Sequence, residues 1–168
     1  MLRFHTSLHK SNEYPEGIIS KIDPKIIEAL TGKKPKGIPL ISIRAAAGFG
    51  TADFAITERD VKEYYVVPKF KYLHVDFMIE ISGSSMYPKY NSGDIIACTI
   101  IHESRFIQWN KCHLVATREQ GLLVKRIKQS ENEGYLKAIS DNKEYPEFDI
   151  PLDEVTGLAL VVGVIRLE

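Results

Sequence analysis

The sequence predicts a mainly β domain that follows a short helical arm. From Ile38 onward, the apolar residues fall in short runs separated by glycine, proline and small polar residues, which is typical of strands and turns. The residues before Ile38 contain one helical pattern, at 24–31, which Asp23-Pro24 would begin. One short helix cannot form a helix-turn-helix, which needs two packed helices. We therefore divide the chain into an arm, residues 1–37, and a domain, residues 38–168.

The expected strands follow one another along the domain. Pro39 comes before the first strand and Pro68 closes the second, which we expect at an edge, because proline lacks the N–H that an interior ladder needs. Polar turns such as Ser92-Gly93-Asp94 separate later runs. The runs that we expect to form strands cover residues 40–43, 64–67, 75–81, 95–101, 114–117, 122–128, 135–140, 148–150 and 156–166.

Composition argues against a membrane-spanning protein and for a reducing compartment. The longest apolar stretches, 95–101 and 158–165, are well short of the roughly 20 residues that a spanning helix needs, and the N-terminus lacks the apolar centre of a signal peptide. Two cysteines, Cys98 and Cys112, do not make a disulfide framework, so we expect a cytoplasmic protein. An apolar content of 44% in 168 residues suffices for a sizeable core.

The charge balance gives the domain no electrostatic reason to bind nucleic acid. Lysine plus arginine equals aspartate plus glutamate at 22 each, so the formal net charge is zero. Affinity for nucleic acid depends largely on an excess of basic groups that neutralise phosphates. We therefore expect DNA contact only through a helix-turn-helix domain, for which this sequence has no pattern.

A serine at the mouth of one expected strand and a lysine within another suggest a nucleophile and its base. Ser85 lies in a tight turn directly after the apolar run 75–81. Side chains on a strand alternate faces, so Lys125 shares its face with Leu123 and Ile127 and is a cation among apolar neighbours. Burial lowers the pKa of a lysine, and a neutral amine can take the proton of a serine hydroxyl. This is the chemistry of a Ser-Lys dyad, which needs no histidine.

Three motifs occur in order: Ala45-Ala46-Ala47-Gly48, Gly83-Ser84-Ser85-Met86 and, at 124–127, Val-Lys-Arg-Ile. Together they resemble the self-cleaving C-terminal domain of LexA, of lambda-type phage repressors and of the UmuD mutagenesis proteins. The first is similar to the Ala-Gly bond that such proteins cut in themselves, the second to Gly-x-Ser-Met, and the third to the Val-Lys-Arg-Leu that carries the general base. The final run, 157–166, also looks like the family's last strand, so the resemblance extends from about Ile38 to the end.

The resemblance implies a fold, a reaction and partners. The fold would be the LexA-repressor C-terminal type, with bent antiparallel sheets. The domain would form a homodimer and cut its own Ala47–Gly48 bond, with Ser85 as nucleophile, its backbone N–H as oxyanion donor, and Lys125 as general base. An activated RecA filament would favour the docked state in the response to DNA damage. The neighbouring residues that would shape the serine turn are Gly83, Ser84 and Met86.

Rival sites are weaker. His102, Cys112 and His113 match no common zinc spacing, so we predict no metal and no cofactor. A Ser-His-Asp triad is disfavoured because Ser85 lacks a Gly-x-Ser-x-Gly context. Taken alone, Ser85 could belong to a polar turn, and Lys125 could be a strand lysine that extends its amine to solvent. The combination with the upstream Ala-Gly bond favours the dyad.

Two other functions fit the same sequence. A non-cleaving dimerisation and sensing module of a transcription factor would use this fold without the reaction, and a UmuD-like protein would act as a polymerase accessory subunit. Self-cleavage of the purified protein would separate the first alternative from the peptidase. The final run is apolar on both faces, so in each case we expect it to lie at or near a two-fold homodimer interface.

Overall fold

The structure, a computed structural model, describes residues 37–102 and 106–168. The helix expected at 24–31 lies outside these residues. The described part is mainly β, as the sequence predicts. Its nine strands are β1 (Ile38–Ile41), β2 (Val61–Tyr65), β3 (Phe77–Glu80), β4 (Ile95–Ile100), β5 (Lys111–Thr117), β6 (Gly121–Gln129), β7 (Tyr135–Ile139), β8 (Phe148–Pro151) and β9 (Val155–Ile165).

Helical segments of the described chain are short. They are the four-residue helix α1 (Ile43–Ala46) and two 3₁₀ helices, Pro68–Tyr72 and Leu152–Glu154. None of them has the length and apolar character that crossing a bilayer requires. The strands therefore provide the framework on which the other residues are placed.

The nine described strands form one mixed sheet in the order β2-β1-β3-β4-β9-β5-β6-β7-β8. β1 and β3 run parallel and pair through Leu40 and Met78, whereas every other neighbouring pair is antiparallel. The expectation of antiparallel pairing is thus wrong for this pair alone among the described strands. β2, followed by Pro68, lies at an edge as predicted.

Three irregularities bend the sheet. The pairing register shifts between Leu40 and Ile41 in β1, between Ala97 and Cys98 in β4, and between Ala116 and Thr117 in β5. A bulge of this kind kinks a strand and increases its local twist. These kinks agree with the bent architecture that the family resemblance implies, and they bring strands that are distant in sheet order closer together.

The segment after β1 differs from the sequence prediction. β1 begins before Pro39 instead of after it, and it ends where Ser42 caps α1. The Ala45 N–H donates a hydrogen bond to the Ser42 Oγ at 3.2 Å, and the alanines that follow have high helix propensity. Residues 45–50 therefore begin as a helical turn.

Phe49 fixes the chain just beyond this turn. It is fully buried, and its ring centroid lies 6.5 Å from that of Phe54 and 5.6 Å from that of Phe77. Its carbonyl oxygen lies against Gly157 of β9, where an added Cβ would come within 2.4 Å of that oxygen. Position 157 therefore requires glycine, and the backbone of residue 49 is held between the aromatic core and β9.

The side chains of β6 alternate between two hydrophobic clusters, as the sequence predicts. Leu123 and Ile127 pack in one cluster with Val115 of the neighbouring strand, whereas Val124 packs against the other. Both faces of β6 are thus covered over this stretch. The strand carries Lys125 through an apolar part of the domain.

Candidate active site

The turn that carries Ser85, residues 82–90, follows β3; we call it the serine turn. Gly83 has a φ of +90°, a left-handed conformation that glycine adopts without a steric penalty. Met86 is buried in the core, and its carbonyl oxygen accepts a hydrogen bond from the Tyr90 N–H at 2.9 Å. Ser85, between them, is half-buried. The turn is therefore anchored immediately after the serine.

The far end of the serine turn is tied to the residue that follows β9. Arg166 donates from Nε and Nη2 to the two carboxylate oxygens of Asp94, at 2.8 and 2.6 Å, and from Nη2 to the Lys89 carbonyl oxygen at 3.0 Å. Asp94 is buried, and the guanidinium that bonds it holds the pKa of its carboxyl below the usual value. The two parallel charge-assisted bonds between Arg166 and Asp94 are strong, and they also fix the relative orientation of the two side chains.

Lys125 reaches the serine turn from β6. The residue is only 7% exposed, and its Nζ lies 2.6 Å from the Ser85 Oγ. Three strands separate β3 from β6 in the sheet, so the bend of the sheet is what brings the two side chains together. None of the ion pairs between described residues involves Lys125.

Burial favours the neutral form of the Lys125 amine. Removal of the ammonium from water disfavours its charged form and lowers the pKa of Lys125 below the usual 10.5. The fraction of neutral amine near neutral pH is therefore larger than for an exposed lysine. A neutral amine at this distance can accept the Ser85 hydroxyl proton, and the arrangement can generate a serine nucleophile without a histidine.

A cleft of about 470 Å³ opens over the pair. Its walls are largely aliphatic, with contributions from β3, β5 and β6 and from the first residue of α1. Such a cleft suits a peptide segment with small or apolar side chains. Apolar residues that line it are Ile43, Ile79, Ile81, Met86, Leu114, Leu122, Leu123 and Val124.

Residues 39–162 match the Peptidase S24-like family. The chain belongs to this family. The match includes Ser85, Lys125 and all or most of each described strand. It confirms the resemblance to LexA-type domains that the three motifs indicate.

Curated relatives of this S24-like chain are named as repressors and regulators. A LexA repressor of Saccharophagus degradans is 29% identical over 139 residues, which cover 79% of this chain and 64% of the relative. A LexA repressor of Photorhabdus laumondii is 31% identical over 134 residues, or 77% and 61%. An uncharacterized HTH-type transcriptional regulator of Haemophilus influenzae is 29% identical over 152 residues, or 85% and 62%. This chain spans less than two thirds of the length of each of these three relatives.

The S24-like domain holds the expected cleavage site in a helical turn. The Ala47 N–H donates to the Ile43 carbonyl oxygen at 3.0 Å, and the Gly48 N–H donates to the Ala45 carbonyl oxygen at 3.2 Å. Ile43 lines the cleft, whereas Ala47 and Gly48 do not. The structure thus brings Ser85 and Lys125 together without the Ala47–Gly48 bond.

Sequence reasoning missed the loop after β7, residues 141–145, which we call the asparagine loop. The Asn142 side-chain Nδ2 donates to the Ser84 carbonyl oxygen at 3.1 Å, and the Asn142 backbone N–H donates to the Ser85 carbonyl oxygen at 3.0 Å. The Tyr145 hydroxyl shares a hydrogen bond of 2.8 Å with the Ser84 hydroxyl. The polar residues at 141–145 indicate a turn. No local sequence pattern indicates that this turn contacts Ser84 and Ser85.

His113 and Cys112, which the sequence spacing disfavours as zinc ligands, are both buried. His113 is fully buried, its Nδ1 is 2.9 Å from the Lys111 carbonyl oxygen, and burial lowers its pKa. Burial also raises the pKa of the Cys112 thiol. Over residues 37–102 and 106–168, no three His, Cys, Asp or Glu side chains form a group that could hold a metal ion.

Proposed function

We propose that this chain is the regulatory domain of a LexA-type transcriptional regulator and that it cuts its own Ala47–Gly48 bond. The observation that carries the proposal is the approach of the buried Lys125 Nζ to 2.6 Å from the Ser85 Oγ. Membership in a peptidase family supports the same assignment. Ser85 is the nucleophile and Lys125 is the general base.

In the proposed reaction, Lys125 first accepts the Ser85 hydroxyl proton and then passes it to the leaving amine. Neutral Lys125 takes the hydroxyl proton as Ser85 Oγ attacks the Ala47 carbonyl carbon, and the Ser85 N–H stabilises the oxyanion. The Ala47–Gly48 C–N bond then breaks, and Lys125 returns the proton to the departing Gly48 amine. The Ala47 ester on Ser85 is hydrolysed by a water whose proton Lys125 accepts, which frees the serine.

Docking of the scissile bond controls this reaction. Because substrate and nucleophile share one chain, the effective concentration of the bond is high once it is in the cleft. α1 must first unwind, since Ala47 and Gly48 both donate hydrogen bonds within that turn. The docked arrangement is thus a minor state of the ensemble, and a partner that binds it better than the helical state would activate cutting.

Incubation of the purified protein over a range of alkaline pH tests the proposal. A higher pH raises the fraction of neutral Lys125, so cutting should speed up with pH until the pKa is passed. Mass spectrometry should find products corresponding to residues 1–47 and 48–168. Protein that stays intact throughout would contradict self-cleavage.

Matched variants separate the roles of the residues. Ser85→Ala removes the nucleophile and Lys125→Ala removes the base, so each should stop cutting. Replacement of Gly48 by a bulky residue should stop it for a different reason, because the bond would no longer fit the cleft. Ser84→Ala should have little effect, since the neighbouring hydroxyl contacts Tyr145 and not Lys125. Cutting that survives Ser85→Ala would point to a contaminating protease.

The regulatory context is part of the same proposal. The relatives are named as LexA repressors and an HTH-type regulator, and the net charge of zero gives this chain no electrostatic affinity for DNA. We assign DNA contact to a helix-turn-helix domain of the full regulator. Homodimerisation through β9 and activation by a RecA filament complete the proposal.

A non-cleaving sensing module is the second candidate. The observation in its favour is that Ala47–Gly48 follows directly on α1 while Phe49 is buried in the core. Such a module would keep the fold and the dimer while the bond never reaches Ser85. Intact protein after alkaline incubation, together with a Ser85 that still reacts with a small serine-directed reagent, would favour it. No contact in the described residues favours the UmuD-like polymerase subunit over these two.

A further inference from the structure

The asparagine loop forms hydrogen bonds to the backbone carbonyl groups of Ser84 and Ser85 in the serine turn. Asn142 donates from Nδ2 to the Ser84 carbonyl oxygen at 3.1 Å and from its backbone N–H to the Ser85 carbonyl oxygen at 3.0 Å. The Asn142 Oδ1 in turn accepts from the Glu144 N–H at 3.0 Å, which closes the loop on itself. One residue therefore fixes two successive peptide groups.

The orientation of these peptide groups determines where their N–H groups point. A peptide unit is planar, and in the trans form its C=O and N–H point in opposite directions. A Ser84 carbonyl held toward Asn142 directs the Ser85 N–H away from Asn142, and the Ser85 carbonyl does the same for the Met86 N–H. Within the described part of the chain, neither N–H donates to another backbone carbonyl. The Ser85 and Met86 N–H groups therefore have no backbone acceptor of their own among the described residues.

The loop is attached to the strand that carries the base. Arg126, next to Lys125 on β6, donates from Nε and Nη2 to the two carboxylate oxygens of Asp141 at 2.9 and 2.8 Å. Asp141 directly precedes Asn142. The amine of Lys125 and the peptide planes at Ser85 are thus positioned from one strand, through a short chain of directed bonds.

We propose that Asn142 is a positioning residue that presets the Ser85 and Met86 N–H groups as oxyanion donors. The inference rests on the proposed role of Ser85 as nucleophile, but it does not depend on cutting of the Ala47–Gly48 bond. Preset donors stabilise a developing oxyanion without reorganisation during the reaction. Asn142 touches no reacting atom and acts through the backbone of the serine turn.

A fluorophosphonate probe tests this positioning without self-cleavage. Ser85 Oγ forms a P–O bond, the P–F bond breaks, fluoride leaves, and the hydroxyl proton passes to Lys125. We expect Asn142→Ala and Asn142→Asp to lower the maximal labelling rate by about 100-fold, because one misdirected donor or a small displacement costs about that much. The half-saturating probe concentration and the midpoint of the pH–rate profile should change little, since the surroundings of Lys125 are retained.

The matched control is Asn132→Ala. The Asn132 Nδ2 donates to an Asp149 carboxylate oxygen at 2.7 Å, away from the serine turn, so this variant loses a comparable side-chain bond. It should label like the wild type. Amide NMR spectra of Asn142→Ala should retain the dispersion of the folded domain while the Ser85 and Met86 resonances move.

Several outcomes would overturn the inference. The first is a labelling rate of Asn142→Ala close to that of the wild type, and the second is an equal loss of labelling rate in Asn132→Ala. The third is a shift in the midpoint of the pH–rate profile, which would place the effect on Lys125. The fourth is a wild type that the probe does not label at all. A wild type that is labelled at Ser85 but never cuts itself would refute the self-cleavage proposal only. In that case, the ratio of labelling rates still decides the role of Asn142.

Discussion

Lys125 is held in a place that destabilises its charged form in the folded protein. Its pKa lies below 10.5 because of burial, so the unfolded chain binds more protons than the folded chain in the pH range between the two pKa values. The contribution of Lys125 to the free energy of unfolding therefore rises with pH across that range. Below it the full cost of the buried ammonium is present, and above 10.5 both states are neutral and the cost is gone.

Lys125→Met should therefore be more stable than the wild type at neutral pH. Methionine keeps most of the side-chain volume and removes the buried charge, and each pH unit between the folded and unfolded pKa values corresponds to about 1.4 kcal/mol. The gain should shrink as the pH rises toward 10.5. Urea unfolding at several pH values measures it. Lys128→Met, at the exposed end of the same strand, is the control, and a similar pH-dependent gain there would contradict the argument.

The residues of the candidate site differ in how far the sequence predicts them. Ser85 and Lys125 each lie in a short local motif, so their types and spacing carry the chemistry before any fold is known. Asn142 and Tyr145 lie in a polar turn whose sequence is compatible with many surroundings. Their contacts with Ser84 and Ser85 depend on the bend of the sheet and on the Arg126–Asp141 pair, which no local pattern encodes.

At the level of elements, the proposed self-cleavage requires α1 to unwind before the Ala47–Gly48 bond can dock. Ser42→Ala removes the side-chain oxygen that accepts from the Ala45 N–H, which should weaken the helical turn by about 1 kcal/mol. If unwinding precedes cutting, the docked fraction and the rate of self-cleavage should rise by about fivefold. Fluorophosphonate labelling of Ser85 should not change, since the pair itself is intact.

A control for this variant is Ser130→Ala, which removes the same kind of local bond, from the Asn132 N–H to the Ser130 Oγ at 3.0 Å, together with a bond from the Ser130 hydroxyl to an Asp149 carboxylate oxygen at 2.9 Å. It should cut at the wild-type rate. Slower cutting in Ser42→Ala would mean that the helical turn assists docking, and the proposed order of unwinding before attack would then be wrong.

The sequence predicts the strands better than it predicts α1. Short apolar runs between turn residues identify β3 through β9 to within a few residues, because burial on a sheet requires apolar side chains there. The alanine-rich segment carries no such signal, since small residues suit a loop, a groove or a helix. Two contacts stabilise its helical state: the local Ser42 cap, which the sequence prediction does not include, and the burial of Phe49, which depends on tertiary structure.

On the scale of the whole molecule, β9 exposes less apolar surface to a possible dimer partner than its sequence suggests. The strand lies between β4 and β5, and Leu158 and Ala159 are buried in clusters on its two faces. Val164, toward its end, is 43% exposed. The dimer interface expected there therefore centres on the C-terminal half of the strand.

Sedimentation equilibrium at micromolar concentrations measures this association. The wild type should be a dimer, and Val164→Glu should shift it toward monomer, because the substitution places a charge in the apolar patch. Tyr135→Glu, at an exposed residue of β7, is a control that should leave the dimer intact. A monomeric wild type at high micromolar concentration would contradict the interface.

The position of β1 has a consequence for what a cut would release. β1 lies inside the sheet, between β2 and β3, and its Leu40 and Ile41 are buried, although it precedes the Ala47–Gly48 bond. A nicked protein would remain a two-chain complex held by strand pairing, and loss of residues 1–47 would leave two strands with unpaired edges. We expect the products to elute together in native size exclusion and to separate in urea. Separate elution without denaturant would disprove this, whereas co-elution would make release of residues 1–47 a dissociation equilibrium that depends on dilution and temperature.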